Sequence, residues 1–125
     1  MIYEVVNKPN KIETVLLDSA VSFACSYLNL NVDFTIEFDS LKRHQCGICD
    51  YEEDEIVIFI AKRLSPKTAI RTLFHELVHV QQYESGRLDH NRMWEGTSYD
   101  CEYADRPWEL EAFDLEEKMM KFFYG

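Results

Sequence analysis

His75-Glu76-Leu77-Val78-His79 is the stretch of this chain whose residue types and spacing could do chemistry. Two histidines four residues apart on a helix project from one face, one turn above the other. Imidazoles so placed can share a single metal ion, and Zn²⁺ is the usual occupant of such a pair. Glu76 is angled to one side of the pair. From there its carboxylate can take a proton from a metal-activated water without ligating the ion itself.

The flanking residues supply the helix. Ser65 is the expected N-cap and Pro66 the first helical residue. The helix then runs to about Glu84, with Gly86 ending it. Projected around its axis, Ile70, Leu73, Phe74, Leu77, Val78 and Val80 fill one arc. Thr72, His75, Glu76, His79 and Gln82 fill the opposite one, which should face a groove or cavity.

A catalytic zinc takes three protein ligands and keeps a position for water, so two histidines do not complete the site. After an irregular polar and aromatic stretch from Arg87 to Arg106, Pro107 opens a last helix reaching roughly Phe123. Its apolar arc holds Trp108, Ala112, Phe113, Leu115, Met119, Met120, Phe122 and Phe123, and Glu109 falls inside that arc. A carboxylate on an apolar face is costly unless it is paired or binds a metal. Glu109 is therefore the expected third ligand. A structural alternative for it is a hydrogen bond to a free backbone N–H of the first helical turn. Glu116 shares the inward face two turns later and competes for the ligand role, or serves as a partner that orients a histidine. Glu111 lies at the edge of the arc, and His90 sits in the irregular stretch.

The rest of the chain must position these groups. Its 125 residues suit one domain, and 46% hydrophobic residues suffice for a core without disulfides. Helical periodicity spans about Lys11 to Leu30. Val32 to Phe38 alternates as a half-buried strand, Cys46 to Tyr51 forms a weaker one, and Glu55 to Ala61 a strong one rich in β-branched residues. Glu52-Glu53-Asp54 is the turn between the last two. The fold class predicted is α+β: an N-terminal helix, a small three-stranded and mostly antiparallel sheet, the H-E-x-x-H helix and a C-terminal glutamate helix.

A net charge of -10 excludes phosphate backbones as natural partners, so no nucleic acid is expected. No apolar run approaches membrane-spanning length, and Met1 to Val6 lacks the pattern of a signal peptide. A cytoplasmic protein with reduced thiols is the expectation. Cys46-Gly47-Ile48-Cys49 has no second C-x-x-C to complete a zinc site, and its thiols read as buried or incidental. Trp94 and Trp108 read as core or cleft-wall residues.

With Glu109 in view, the chain resembles the gluzincin branch of the zincin metallopeptidases, whose H-E-x-x-H helix is followed by a helix carrying E-x-x-A. Glu109-Leu110-Glu111-Ala112 matches the second element. Phe113 stands where the family often has Asp, so a contact orienting a histidine must be missing or come from elsewhere. Trp94, Gly96, Tyr103 and Arg106-Pro107-Trp108-Glu109 are also similar to compact metallopeptidase-like proteins of bacteria and their phages. The resemblance covers roughly the C-terminal half, and the order of elements in the N-terminal half is compatible with a minimal zincin core. It implies a zinc peptidase that hydrolyses a peptide or protein substrate, with Zn²⁺ on His75, His79 and Glu109 and Glu76 as general base. Among Tyr103, Tyr99, His90 and Arg106, Tyr103 is the expected oxyanion stabiliser. The strand Ile56 to Ile60 is the expected platform for an extended substrate. The competing class is a non-catalytic zinc-binding or protein-interaction module on the same scaffold.

Overall fold

The computed structural model describes residues 2–52 and 54–125. Met1, and Glu53 of the expected turn, lie outside the described residues. The elements are β1 (Tyr3–Val6), α1 (Thr14–Tyr27), β2 (Phe34–Asp39), β3 (Gly47–Tyr51), β4 (Ile56–Ala61), α2 (Pro66–Glu84), β5 (Met93–Trp94), β6 (Thr97–Ser98), a short 3₁₀ turn (Tyr103–Asp105) and α3 (Pro107–Tyr124).

The fold is α+β, as expected, but its sheet differs in two respects. It has four strands rather than three, in the order β1-β2-β4-β3. It is also mixed rather than mostly antiparallel: β1–β2 and β2–β4 are parallel, and only the β3–β4 hairpin is antiparallel. The extra strand, β1, lies at a sheet edge with mostly exposed side chains, so it lacks the apolar alternation that reveals a strand. Helix α1 carries the chain from β1 to β2, the crossover a parallel pair requires. Between β2 and β3, residues 40–46 are long enough to leave a gap, and β4 then inserts between the two.

That insertion corrects the expected substrate platform. Residues of β4 pair with β2 on one side and β3 on the other, so β4 has no free edge. The edge strand beside α2 is β3.

One face of the sheet carries the core. Phe34, Ile36 and Phe38 of β2 and Ile56, Ile58 and Ile60 of β4 are buried, while Thr35, Glu37, Asp39, Val57 and Phe59 between them are half-buried. Each fully buried isoleucine contributes roughly 1.5–3 kcal/mol over an exposed one. Leu73, Phe74, Leu77 and Val80 of α2 join this core, and α2 packs in turn against α1, α3, β3 and β4. The α2 boundaries follow the sequence signals. The Ser65 hydroxyl accepts the Thr68 N–H, Pro66 opens the helix, and Gly86 leaves it with φ +78°.

The Arg87 to Arg106 stretch is more ordered than its composition suggests. Glu95 and Gly96 both have positive φ and form the two-residue turn of the β5–β6 hairpin. Leu88, Trp94 and Trp108 make a small second core there, so both tryptophans pack as expected. On α3 the apolar arc is not wholly buried: Phe122 is 71% exposed and Phe113, which borders the cleft, 43%. Among the described residues no helix is long and apolar enough to cross a membrane.

Candidate metal centre

All five residues of the polar α2 arc, Thr72, His75, Glu76, His79 and Gln82, are buried. They line or underlie a cleft of about 960 Å³ between β3, α2, the 3₁₀ turn and α3. α3 crosses α2 so that Glu109, in its first turn, meets both histidines. The Glu109 Oε1 lies 3.0 Å from His75 Nε2 and 3.1 Å from His79 Nε2. One ligand atom from each of the three residues lies within 4.8 Å of the others, and all three are buried. The alternative partner for Glu109, a backbone N–H of its own helix, is not the one it uses. The group could hold a metal ion.

Contacts behind the triad fix which histidine nitrogen faces it. The Nδ1 of His75 donates to Glu116 Oε1 at 2.8 Å, and the other Glu116 oxygen accepts from Arg71 at 3.2 Å. The Nδ1 of His79 donates to Gln82 Oε1 at 2.7 Å. The amide nitrogen of Gln82 in turn donates to the Trp108 carbonyl at 2.9 Å and to Glu111 at 3.1 Å, and Glu111 is clamped by Arg87. That amide therefore has one orientation only. Both rings keep a proton on Nδ1 and present Nε2, as metal-ligating histidines with fixed outer partners do.

Glu116 thus orients a histidine and lies outside the group that could hold a metal ion. It supplies, one turn further along, the contact that Phe113 cannot; the Phe113 ring instead lies 4.7 Å from the His75 ring. Glu111 also lies outside that group, and it holds Gln82 and Arg87. The part played by Gln82 and Arg87 was missed from sequence. Gln82 was traceable, since it stands three residues after His79 on the same polar arc. Replacing Glu116 by Gln should weaken zinc binding by roughly 10–100-fold, measured by competition with a chromophoric chelator.

No protein-family model, curated protein or solved structure matches this chain.

The electrostatics follow from crowding these groups together. Burial alone would lower the His75 pKa, but its hydrogen bonds to Glu109 and Glu116 and the nearby Glu76 charge outweigh burial and raise it to about 9. His79 is raised by the same balance, with Glu109 again the main opponent of burial. For Glu109, burial pushes upward, yet the two histidines win and hold its carboxyl at about 2. In the metal-free chain near neutral pH a proton therefore sits on His75 Nε2, where an ion would bind. A folded pKa raised above the ordinary 6.5 stabilises the fold below that pH, and the contribution is lost as pH rises through about 9. Chelator-treated protein should accordingly melt at lower temperature at pH 10 than at pH 6, in a denaturation series across that range. A melting temperature flat across it would refute the protonated His75.

Glu76 differs from its neighbours. It is buried and lines the cleft, but among the described residues its carboxylate makes no hydrogen bond or ion pair shorter than 4 Å. Burial raises its pKa, against the pull of His79 and His75. Gly47, the first residue of β3, is what lets the edge strand pass so close. A Cβ there would lie 2.6 Å from Thr72 Cγ2 and 3.1 Å from Glu76 Cγ.

Of the four oxyanion candidates, the structure brings Tyr103 and Arg106 to the cleft. Burial and the charges of Glu109 and Glu76 raise the Tyr103 pKa, so its phenol remains an O–H donor facing the cleft. Tyr99 is exposed, and His90 packs on the rings of Tyr51 and Tyr83. The cysteines are not uniformly buried: Cys25 is, Cys49 is half-buried, and Cys46 and Cys101 are exposed. The ladder to β4 is continuous from Cys46 to Tyr51. Three residues of strand separate the Cys46 and Cys49 Cα atoms by about 10 Å, beyond disulfide reach.

Proposed function

We propose that this chain is a zinc-dependent metallopeptidase of the zincin type, with His75, His79 and Glu109 as the metal ligands and Glu76 as the general base. Glu76 is the observation that carries the reading. A largely buried carboxylate that opens on a cleft without a hydrogen-bond partner costs stability, and neither the core nor the ligand set needs one at that position. A proton-transfer group does need to be there, with a pKa moved upward toward neutrality. Two buried imidazoles and a carboxylate, each imidazole presenting Nε2, suit the donor set of a catalytic zinc.

Zinc at this site would supply Lewis acidity, bringing the pKa of a water molecule toward neutrality and polarising a carbonyl. Glu76 takes the proton from the attacking water and returns it to the leaving amine nitrogen. Tyr103 donates its O–H to the substrate carbonyl oxygen as negative charge grows there. The free edge of β3 offers backbone N–H and C=O groups to an extended peptide, and Gly47 keeps that peptide close to Glu76.

The test is incubation of the zinc-loaded chain with a peptide library and mass spectrometric detection of new termini. Cleavage is expected, lost with chelator and restored by zinc. Stoichiometric zinc without cleavage would leave the metal-binding module as the function.

A further inference from the structure

Three arginines line the cleft, Arg71, Arg92 and Arg106. Among the described residues the side chains of Arg92 and Arg106 form no ion pair or hydrogen bond, and of these two only Arg106 lies against aromatic rings. Arg71 is paired with Glu116 and Glu117, and Arg87 with Glu111 and Glu95. Arg63 donates to two backbone carbonyls. Among the described residues, Arg106 forms no ion pair and no side-chain hydrogen bond, although the chain has 23 acidic residues against 13 basic ones. Its guanidinium is instead placed between two rings. The central carbon lies 5.5 Å from the Tyr103 ring centre and 5.9 Å from that of Trp108. Both residues and Arg106 itself line the metal cleft. Aromatic faces hold a weakly hydrated, planar guanidinium in place without using its in-plane N–H donors. Those donors match a carboxylate two at a time. Tyr103 and Trp108 line the same cleft as His75, His79 and Glu109, so Arg106 stands beside the triad.

We propose that Arg106 is the anion-recognition residue of this cleft, selecting peptides that carry a carboxylate within a few residues of the bond to be cut. The proposal rests on the peptidase reading. The recognised group is a carboxylate, from either an acidic side chain or a free C-terminus. A net charge of -10 makes the selection local: the protein as a whole repels such substrates, and the cleft cation reverses that over a short range.

The test is binding first and cleavage second. Labelled random octapeptide pools are titrated by fluorescence anisotropy against zinc-loaded Glu76→Gln protein. One pool carries Glu and another Gln at the same internal positions, each with a free or an amidated C-terminus. A pool presenting the recognised carboxylate should bind on the order of tenfold tighter or more than the amidated Gln pool, as expected for a charge-assisted pair. The arm that discriminates identifies the source. Arg106→Gln should bring the ratio near one, Arg106→Lys should keep part of it, and the control Lys118→Gln should keep all of it. If Arg106→Gln loses zinc, Arg106→Lys carries the comparison. Equal affinities in all arms, or a preference that survives Arg106→Gln, would overturn the proposal. So would an Arg106→Gln protein whose kcat falls equally on acidic and neutral peptides with the ratio intact, the signature of an oxyanion role. Discrimination by the pools without cleavage by wild type would sink the peptidase reading and leave the anion site standing.

Discussion

Glu76→Gln is expected to bind one zinc per chain with near wild-type affinity and to cleave peptides about a thousandfold more slowly, or not detectably, given that general acid–base catalysis contributes roughly 10²–10⁴. Glutamine preserves the shape and the burial but cannot accept and return a proton. Glu76 is outside the triad and is hydrogen-bonded to none of it, so its removal leaves Glu109, His75 and His79 with their mutual contacts. Steady-state kinetics should place the loss in kcat, with KM little changed, because the missing contribution arises only in the transition state. Retained activity would mean that some other group moves the proton. Loss of zinc together with activity would mean that Glu76 holds the metal rather than serving it.

Glu109→Ala has the larger expected effect on the metal itself. It removes one of the three proposed ligands and also deprives both Nε2 atoms of the acceptor they share. Zinc affinity should fall by more than the roughly 10–100-fold of an outer partner such as Glu116, and cleavage should fall with it. The ranking of the two variants is informative. If Glu116→Gln cost more affinity than Glu109→Ala, the ligand assignment would have to be exchanged.

What the sequence made legible depended on how local the signal was. The α2 helix, its Ser65-Pro66 start and its buried polar arc are set by spacing within a few residues, and all appear in the structure. Glu109 was legible because a carboxylate among Trp108, Ala112 and Phe113 demands a partner. The sheet was less so. β1 is short and exposed, and the insertion of β4 between β2 and β3 depends on long-range pairing that no local pattern encodes. The outer contacts were partly hidden for the same reason. Glu116 could be narrowed to two roles by its helix face, but only the crossing of α2 and α3 decides between them. Gly47 gave no signal at all, since its need arises from a close approach across the cleft.

The most direct test of the account is anomalous diffraction at the zinc edge from crystals of the zinc-loaded chain. The prediction is a single strong peak bonded to His75 Nε2, His79 Nε2 and a Glu109 oxygen, with Glu116 still on His75 Nδ1 and Glu76 outside the coordination sphere. A peak ligated by Glu116 or Glu76, or no peak at the triad in zinc-saturated crystals, would contradict it.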